Sequence, residues 1–482
     1  MKTLSNIVWK IPILSVTGNL NIPILSVSFD SRKVEPGMLF IAIRGTINDG
    51  HQYIPDVVRR GVSAIVCEEM PTSIRQDITY IITRDSSLAL GLICAEFYDR
   101  PSQKLTLVGI TGTNGKTTTA TLLYHLFRKM GYKAGLISTI ANCINEQRSD
   151  ATLTTPDPVQ LNSMMTEMLR KGCEYCFMEV SSHAVVQQRI AGLHFAGGVF
   201  TNLTHDHLDY HKTFADYRDA KKMFFDNLPK TAFALVNKDD RNGMVMVQNT
   251  KANVKTYAMK SMANYRCRMV ESGFSGMALQ LDGREVWMRL IGEFNAYNLL
   301  TVYATAMLLG QNPEETLTAM STLSPVDGRF EFIRSDSNVT AVVDYAHTPD
   351  ALENVLKAIR NLRPAGQIIT VVGCGGDRDK TKRPIMAKIA IEGSSRVLFT
   401  SDNPRNEEPE AIINDMLAGL DASERRNTIV IVDRREAIRT ACMMATSGDV
   451  VLVAGKGHET YQIVKGVKSH FDDKEVVREF FK

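Results

Sequence analysis

Short apolar runs alternate with amphipathic stretches along most of this 482-residue chain. The apolar run at 105–111 leads into a glycine-rich turn. Leu123, Phe127 and Met130 then recur at helical spacing, and Gly131 is placed to end that helix. The pattern predicts a strand, a glycine-rich loop and a helix in direct succession.

The same region contains further predicted strands with helical patterns between several of them, as in a mostly parallel sheet. They lie at 134–139, 175–180, 197–202 and 233–237. From there to about Arg334 the sequence is polar and less regular.

The C-terminal third alternates most cleanly. Strands are predicted at 339–345, 367–373, 396–401, 428–432 and 450–454, and helices at 349–361, 384–391, 409–417 and 436–445. Repeated βα units with short links predict a doubly wound domain whose ligand lies at the carboxyl ends of the strands.

The region before residue 102 has short mixed segments at 22–30, 38–44 and 61–67, and a helical pattern at 88–98. Residues 1–16 are apolar but interrupted by Lys10 and Pro12, and they lack a basic segment and a small-residue cleavage site. We therefore expect a folded strand there rather than a signal peptide. The expected domains are 1–102, 103–334 and 335–482.

The composition, with 44% hydrophobic and 23% charged residues, is that of a soluble globular protein. A net charge of +3 is too small to indicate nucleic-acid binding, and no apolar stretch is long enough to span a bilayer. Eight scattered cysteines fit reduced thiols, and the single CxxC at Cys173 and Cys176 is better explained by half-buried thiols than by a metal. We expect a cytoplasmic protein without nucleic-acid or membrane partners.

The glycine-rich turn has the chemistry of a phosphate-binding loop. Its glycines allow backbone N–H groups to close around phosphate oxygens, Lys116 can reach the terminal phosphates, and the Thr117 hydroxyl suits Mg²⁺. The spacing departs from GxxxxGK[ST], because position 110 is Ile. A second glycine turn at 373–378 ends in Arg378 where a dinucleotide fingerprint needs glycine, which argues against NAD or FAD.

Acidic and histidine residues follow two strands of the same predicted sheet. Glu179 ends one strand and suits Mg²⁺ or phosphate chemistry, while the segment 201–211 is rich in His and Asp. A zinc hydrolase would use such ligands, but its HxHxDH pattern finds Tyr210 where histidine is needed. The adjacent phosphate loop favours Mg²⁺, and some of these side chains can instead cap the next helix.

Ten motifs in order make the chain similar to a known family. They are GTNGKTT (112–118), TTPDP (154–158), MEVSSH (178–183), NLTHDHLD (202–209), DYRDAK (216–221), GEFNAYN (292–298), GRFE (328–331), DYAHTP (344–349), DNPR (402–405) and GKGHE (455–459). Together they resemble the Mur ligases, the ATP-dependent amide-forming enzymes of peptidoglycan precursor synthesis, and most closely the member that adds the third residue of the stem peptide. The resemblance runs from about Ser28 to Tyr461.

The resemblance implies a three-domain α/β fold: a small UDP-binding domain, a central P-loop ATPase domain with a mostly parallel sheet, and a C-terminal Rossmann-like domain that binds the amino acid. It also implies that ATP phosphorylates the D-glutamate γ-carboxylate of UDP-N-acetylmuramoyl-L-alanyl-D-glutamate. The amine of the next amino acid then attacks the acyl phosphate. ATP is a co-substrate and Mg²⁺ a cofactor in this scheme.

The resemblance implies catalytic and metal-binding roles within the central domain. The catalytic residues would be Lys116, Glu179, His207 and Lys221, and the Mg²⁺ ligands Thr117, Glu179, His207 and Lys221. The lysine matching Lys221 is carbamylated in the family, although a lysine in such a helical pattern is ordinarily solvated, as Lys222 is expected to be. ATP would contact Gly112, Thr113, Asn114, Gly115, Lys116, Thr117, Thr118, Asn295, Asn298, Arg329, Asp344 and His347, of which Asn298 can also be a structural helix cap.

The resemblance places the UDP-muramoyl-dipeptide across the first two domains. Its matching residues are Phe29, Ser31, Thr46, Ile47, Asn48, Thr154, Thr155, Ser181, Gln187 and Arg189. Phe29 departs from the aliphatic residue expected there. Arg189 is a sensible partner for a carboxylate of this anionic substrate.

The DNPR motif accompanies meso-diaminopimelate in the family, whereas lysine-adding relatives have another residue at the arginine. Arg405 can bind the distal carboxylate of diaminopimelate bidentately, and lysine has no such group. The further matching residues are Arg378, Asp402, Asn403, Pro404, Gly455 and Glu459, with Glu459 suited to the distal ammonium. We expect meso-diaminopimelate to be the added amino acid and the enzyme to be a monomer. A lysine-adding sister ligase, or a P-loop nucleotide switch that ligates nothing, is the alternative.

Overall fold

The computed structural model describes residues 2–45, 48–206, 208–362 and 364–481. The N-terminal sheet has five strands in the order β2-β7-β6-β5-β4, all parallel except the edge strand β2. These five strands are β2 (Ile13–Thr17), β4 (Val27–Ser28), β5 (Leu39–Ile41), β6 (Ala64–Cys67) and β7 (Thr79–Thr83). Two further strands, β1 (Lys2–Thr3) and β3 (Pro23–Ile24), form a separate antiparallel pair. The helices are α1 (Leu4–Val8), α2 (Ile54–Arg59) and α3 (Ser86–Phe97), with 3₁₀ turns at Ser31–Lys33, Gly50–Tyr53 and Pro101–Gln103.

The expectation of a strand in residues 1–16 is wrong for residues 4–8. Residues Leu4–Val8 form helix α1, because Leu4, Ile7 and Val8 fall on one helical face and are all buried. The mixed segment at 22–30 contains two short strands, β3 and β4.

The central sheet has eleven strands in the order β11-β10-β9-β12-β8-β13-β14-β15-β16-β17-β18. The strands are β8 (Thr106–Thr111), β9 (Ala134–Ile137), β10 (Ala141–Ile144), β11 (Gln147–Asp150), β12 (Tyr175–Glu179), β13 (Gly197–Phe200), β14 (Phe233–Asn237), β15 (Asn253–Ala258), β16 (Tyr265–Gly273), β17 (Gly276–Leu281) and β18 (Arg284–Met288). The helices are α4 (Lys116–Lys129), α5 (Pro158–Arg170), α6 (Ser182–Val186), α7 (Leu208–His211), α8 (Phe214–Asp226), α9 (Gly243–Met246), α10 (Glu293–Leu308) and α11 (Pro313–Ser321). The strands from β9 through β16 in this order are parallel, and each edge carries an antiparallel hairpin.

The stretch that precedes Arg334 is more regular than its sequence suggested. After β14 it holds the strands β15 to β18, the short helix α9 and the longer helices α10 and α11. β16 mixes exposed and partly buried positions in no regular order, so it lacks the clean alternation of a half-buried strand. α10 is buried almost all round and therefore lacks the polar face of an amphipathic helix.

The C-terminal sheet has six strands in the order β19-β20-β24-β21-β22-β23, parallel except for β19. The strands are β19 (Glu331–Arg334), β20 (Thr340–Asp344), β21 (Ile368–Val372), β22 (Arg396–Phe399), β23 (Thr428–Val430) and β24 (Val450–Ala454), followed by a hairpin of β25 (Tyr461–Val464) and β26 (Val467–His470). The helices are α12 (Pro349–Asn361), α13 (Lys382–Gly393), α14 (Pro409–Leu417), α15 (Arg434–Met444) and α16 (Asp473–Phe480), with a 3₁₀ turn at Glu424–Asn427. The predicted alternation of strands and helices is confirmed here.

Apolar side chains cover both faces of the central sheet. Leu123 and Phe127 of α4 pack with α10 on one face, while α5 and α8 cover the other. β8 lies between β12 and β13 in parallel register, with Glu179 opposite Ile110 and Phe200 opposite Thr111. The loops after these three strands therefore emerge together at one sheet edge. Within the described parts of the chain, no helix combines the length and apolar character needed to cross a membrane.

Candidate active site

The glycine loop follows β8 and ends where α4 begins, at Lys116. Gly112 has φ +147° and Gly115 has φ +85°, both in the region that favours glycine. A Cβ at Gly112 would lie 1.9 Å from Thr201 Oγ1, and one at Gly115 would lie 2.5 Å from Asn298 Oδ1. Only glycine fits either position, and the N-terminus of α4 is left facing the loop, as a phosphate requires.

Two lysines converge on one carbonyl of this loop. Lys116 Nζ donates to the oxygen of Gly112 at 2.9 Å, and Lys221 Nζ donates to the same oxygen at 2.8 Å. Lys221 is only 1% exposed and also lies over the ring of Tyr217. Burial, reinforced by the charge of Lys116, lowers the pKa of Lys221 well below its ordinary value. Two ammonium groups on one oxygen repel each other, so the arrangement disfavours the charged form of Lys221.

Glu179 links the loop to the neighbouring strand end. Its fully buried carboxylate accepts a hydrogen bond from Thr117 Oγ1 at 3.0 Å, and bonds from the Thr139 N–H at 2.7 Å and Thr139 Oγ1 at 3.2 Å. The Thr139 hydroxyl also contacts Thr154 at 3.0 Å. These oxygens form a compact hard-donor group beside the phosphate loop.

The loop is also tied to β13 and to the C-terminal domain. Asn202 accepts from the Asn114 N–H at 2.9 Å and donates to its carbonyl at 3.1 Å. Asp350, in the first turn of α12, accepts from Asn114 Nδ2 at 2.6 Å and from Thr204 Oγ1 at 3.2 Å. A carboxylate of one domain thus contacts the phosphate loop of another.

Arg329 provides a second bridge between these domains. Its Nη2 donates to Thr117 Oγ1 at 3.2 Å, and its guanidinium lies 4.5 Å from the ring centre of Tyr345. Arg329 Nε is buried and has no hydrogen-bond partner among the described residues. The Nε–H group of Arg329 is therefore available to donate a hydrogen bond beside the loop.

Two titratable side chains at the end of β20 have shifted pKa values. Burial raises the pKa of Asp344 to about 6, although the carboxylate accepts from the Phe330 N–H at 2.6 Å. Burial lowers the pKa of His347 to about 4, with the charge of Lys382 adding to the effect. His347 is therefore neutral at pH 7, with its Nδ1 2.8 Å from the Tyr345 carbonyl oxygen.

A cavity of about 490 Å³ lies between the central and C-terminal domains. It is lined by residues that the sequence singled out: Thr113, Asn114, Gly115, Lys116, Thr117, Thr118, Thr154, Glu179, Ser181, Lys221, Asn298, Arg329, Asp344 and His347. Asn295 lies behind this wall, where its Oδ1 accepts from Asn298 Nδ2 at 3.1 Å. Sequence reasoning missed Thr139, Asn202, Tyr345 and Asp350, which also line the cavity. Tyr345 lies inside the DYAHTP motif, and Asp350 directly follows it, so the motif was the available signal.

The residues matched to the dipeptide cluster behind Glu179. Thr155 Oγ1 donates to the Glu179 carbonyl at 2.8 Å, and Ser181 Oγ caps α6 by accepting from the Ala184 N–H. Arg189 Nη1 donates to the Thr155 carbonyl at 2.8 Å, and its Nε to Gln187 Oε1 at 3.0 Å. Burial lowers the pKa of Arg189.

A second cluster lies at the carboxyl end of the C-terminal sheet. Asn403 Nδ2 donates to Glu459 Oε2 at 2.7 Å, and the buried Lys456 Nζ is 3.3 Å from the same oxygen. Burial, with the nearby Asp402, raises the pKa of Glu459. Gly455 has φ +117°, and a Cβ there would lie 2.5 Å from Asp402 Oδ2. Lys456 was not anticipated, although it lies within the GKGHE motif.

Arg405 and Arg378 both lie close to Gly375. A Cβ at Gly375 would be 2.9 Å from Arg405 Nη1 and 3.8 Å from Arg378 Cγ. Arg405 Nη1 donates to the Gly376 carbonyl at 2.8 Å, while Arg378 is exposed. Tyr345 OH lies 3.5 Å from Glu459 Oε1, which connects this cluster to the nucleotide-sized cavity.

The residues matched to the uridine end lie in the N-terminal domain, away from both clusters. Phe29 is 37% exposed, Ser31 begins a 3₁₀ turn, and the Asn48 carbonyl accepts from the Gly45 N–H at 2.9 Å. Thr46, Ile47 and His207 lie outside the described residues. Among the residues that are described, no cluster of three His, Cys, Asp or Glu side chains could hold a metal.

The fold and this geometry define a class: an α/β protein with three main sheets and a phosphate-binding loop at the junction of two domains. Comparison with family models agrees. Residues 23–98 match the Mur ligase family catalytic domain, residues 110–306 the Mur ligase middle domain, and residues 328–457 the Mur ligase glutamate ligase domain. These matches cover more than half of the chain, which therefore belongs to the Mur ligase family.

Individual relatives are similar over the full length. A Bacteroides thetaiotaomicron protein named UDP-N-acetylmuramoyl-L-alanyl-D-glutamate–2,6-diaminopimelate ligase is 58% identical over 469 residues, 97% of each chain. A solved structure of a protein with that name aligns with TM-score 0.71 and 31% identity, covering 100% of this chain and 98% of the other. The MurF ligase of Thermotoga maritima in complex with ADP aligns with TM-score 0.62 at 18% identity over 95% of this chain and 96% of the other, a likeness of fold.

Proposed function

We propose that this protein is an ATP-dependent, ADP-forming ligase that adds meso-diaminopimelate to the D-glutamate γ-carboxylate of UDP-N-acetylmuramoyl-L-alanyl-D-glutamate. One observation carries the proposal. The phosphate loop opens into a cavity whose opposite wall leads through Tyr345 to the cluster around Glu459 and Arg405. Nucleotide and amino acid can therefore meet near one point, and the names of the full-length relatives agree.

In this proposal a γ-carboxylate oxygen of D-glutamate attacks the terminal phosphorus of ATP, and ADP leaves. The amine of the incoming amino acid then attacks the acyl carbon, and phosphate departs as the amide forms. Lys116 and Arg329 stabilise the negative charge that gathers on the transferred phosphoryl oxygens. The unpartnered Nε of Arg329 supports this role, because a phosphate oxygen would satisfy it.

Mg²⁺ fits the donor set beside the loop. Thr117 Oγ1 and Glu179 Oε2 are hard oxygen donors 3.0 Å apart, and Mg²⁺ commonly takes one or two carboxylates together with substrate phosphates. Bound there, Mg²⁺ would neutralise phosphate charge. We keep His207 as a further proposed ligand on the strength of the NLTHDHLD motif.

We further propose that Lys221 is carbamylated, its amine adding to CO₂ with release of a proton. The reaction needs a neutral amine, which the lowered pKa of Lys221 favours. The product carries a negative charge, so repulsion between Lys116 and Lys221 becomes attraction. The carbamate would also supply a further oxygen ligand beside Glu179.

We assign the selection of diaminopimelate over lysine to the cluster around Glu459 and Arg405. Arg405 uses Nη1 for the Gly376 carbonyl, and its remaining N–H groups can bind the distal carboxylate. Glu459, together with Asn403, suits the distal ammonium. Lysine would leave Arg405 without a carboxylate partner, at a cost of a few kcal/mol.

The remaining assignments follow from this function. Residues 1–102 would bind the uridine end of the substrate through Phe29, Ser31 and residues 46–48, residues 103–334 would bind ATP, and residues 335–482 would bind the amino acid. The muramoyl dipeptide would contact the group around Thr155 and Arg189. We also propose a cytoplasmic monomer.

Phosphate release tests the function directly. It would be measured with ATP and UDP-N-acetylmuramoyl-L-Ala-D-Glu while diaminopimelate, lysine and ornithine are varied. We expect release only with all three substrates, and a kcat/KM for diaminopimelate at least roughly 100-fold above that for lysine. Comparable values for lysine would indicate a lysine-adding ligase, and release indifferent to amino acids would indicate a nucleotide switch.

A further inference from the structure

A buried arginine lies beneath the two loops that carry Arg378 and Arg405. We call residues 373–378 the glycine turn and residues 402–408 the proline turn. Arg383, fully buried in the first turns of α13, binds Glu407 of the proline turn through both Nη atoms, at 3.0 and 2.8 Å. Its Nη1 also contacts Asp415 of α14 at 2.8 Å. This pairing is bidentate, which fixes the carboxylate in orientation as well as in position.

Glu407 in turn holds the glycine turn. Its Oε1 accepts from the Asp377 N–H at 2.6 Å, and Asp377 has φ +53°, a conformation that a non-glycine residue adopts only at some cost. The Arg383 guanidinium lowers the pKa of Glu407 to about 2, so the carboxylate stays ionised throughout the neutral range. Glu407 thus contacts Arg383 below and the backbone of the glycine turn above.

The glycine turn and the proline turn also contact each other directly. The Gly376 N–H donates to the Asn403 carbonyl at 2.9 Å, and Asn406 Nδ2 donates to Asp377 Oδ2 at 2.8 Å. A Cβ at Gly376 would lie 1.9 Å from the Pro404 carbonyl oxygen, so no larger residue permits this approach. The separation of Arg378 and Arg405 is therefore set by this contact between the turns.

We propose that Arg383 and Glu407 are positioning residues for amino-acid selection, which hold Arg378 and Arg405 at the spacing that a diamino dicarboxylic acid requires. The proposal rests on the proposed function, because it concerns how the site selects its amino acid. Arg383 is fully buried and both Glu407 oxygens are bonded to Arg383, so in this proposal neither residue contacts the substrate. They act through the glycine turn, so a loss of the pair loosens the arginine spacing while leaving the phosphate loop and its cavity intact.

The test uses Glu407→Gln in the full-length enzyme, with Asp415→Asn as the matched control. A glutamine keeps the shape but turns an N–H₂ group toward the guanidinium, which breaks one of the two bonds. Asp415 binds the same guanidinium but does not contact the glycine turn. We expect Glu407→Gln to raise the KM for diaminopimelate roughly 10-fold and to lower the preference over lysine, with the KM for ATP and kcat within about 2-fold of wild type. Asp415→Asn should leave all of these within about 2-fold.

If Glu407→Gln folds poorly, Asn406→Ala provides a second test. Asn406 is exposed, and its replacement by alanine removes only the side-chain hydrogen bond to Asp377. It should raise the same KM by a smaller factor. Unchanged KM and selectivity in folded Glu407→Gln, or an equal effect of Asp415→Asn, would overturn the proposal. A wild-type enzyme that shows no preference for diaminopimelate would instead reject the proposed function.

Discussion

At the scale of single residues, Lys221 is the most sensitive test of the chemistry. It shares the Gly112 carbonyl with Lys116, and a neutral or carbamylated side chain relieves the repulsion. We predict that Lys221→Ala lowers the rate of phosphate release roughly 100-fold or more, since a preorganised electrostatic group is lost. Added bicarbonate should not restore activity, whereas wild type depleted of CO₂ should recover with bicarbonate.

Lys222→Ala is the control for this change. Lys222 is not solvated as expected, because its side chain is only 12% exposed and pairs with Asp226 at 2.8 Å. Neither residue lines the cavity, so the loss of Lys222 should alter the rate less than about 2-fold. Near-normal turnover by Lys221→Ala would contradict the assignment.

The sequence carried an unused signal for Lys221. In α8 the buried positions are Tyr217, Ala220, Lys221, Phe224 and Phe225, which form one helical stripe. A lysine on the apolar stripe of a helix is not an ordinary solvated lysine. The hydrophobic pattern alone could therefore have placed Lys221 inside the protein. Its partner, the Gly112 carbonyl, lies 109 residues away in sequence and only the fold brings it close.

At the scale of elements, two glycines at the ends of α4 distinguish the steric demand of the phosphate loop from the cost of a positive φ. Gly115 and Gly131 flank the same helix, α4, with similar φ values of +85° and +92°. A Cβ at Gly115 would meet Asn298, whereas none of the described atoms lies within 4 Å of a Cβ at Gly131. We predict that Gly115→Ala raises the KM for ATP at least roughly 10-fold, because the loop must shift to admit the methyl group.

Gly131→Ala supplies the comparison. It should cost about 1 kcal/mol of stability from its positive φ alone and leave the KM for ATP unchanged. Thermal unfolding and ATP titration of both variants make the check. Equal KM values for Gly115→Ala and wild type would show that the loop tolerates a side chain.

Regular elements could be predicted where one periodicity dominates. β24 and α12 have the predicted bounds, because a fully apolar strand and a strongly amphipathic helix leave little choice. Helix α1 was missed although Leu4, Ile7 and Val8 share its buried face, because five residues are too few to establish a period against the apolar run around them. β16 and α10 were missed because β16 mixes exposed and partly buried positions without a regular period, and α10 is nearly all buried.

At the scale of the whole molecule, the contacts between domains lay beyond prediction. Asn114 and Asp350 are separated by 236 residues and belong to different domains, and neither carries a periodic or compositional signal for the other. Motifs identified which residues matter, since they record chemistry that needs particular side chains. They did not show that Asp350 contacts the phosphate loop, because that contact depends on how two folded domains pack.

This contact gives the last prediction. If Asp350 holds the C-terminal wall of the cavity against the phosphate loop through Asn114, the two side chains should be energetically coupled in nucleotide binding. Binding of a non-hydrolysable ATP analogue would be measured by calorimetry for wild type, Asn114→Ala, Asp350→Ala and the double variant. A charge effect of Asp350 on the phosphates is common to both backgrounds and cancels, which leaves a coupling of about 1 to 2 kcal/mol for the hydrogen bond.

Glu353→Ala, which removes an exposed carboxylate from the same helix, should show no coupling with Asn114→Ala. Additive effects of Asn114→Ala and Asp350→Ala would mean that the cavity wall is held by other contacts, of which the bond from Arg329 to Thr117 would be the next to test.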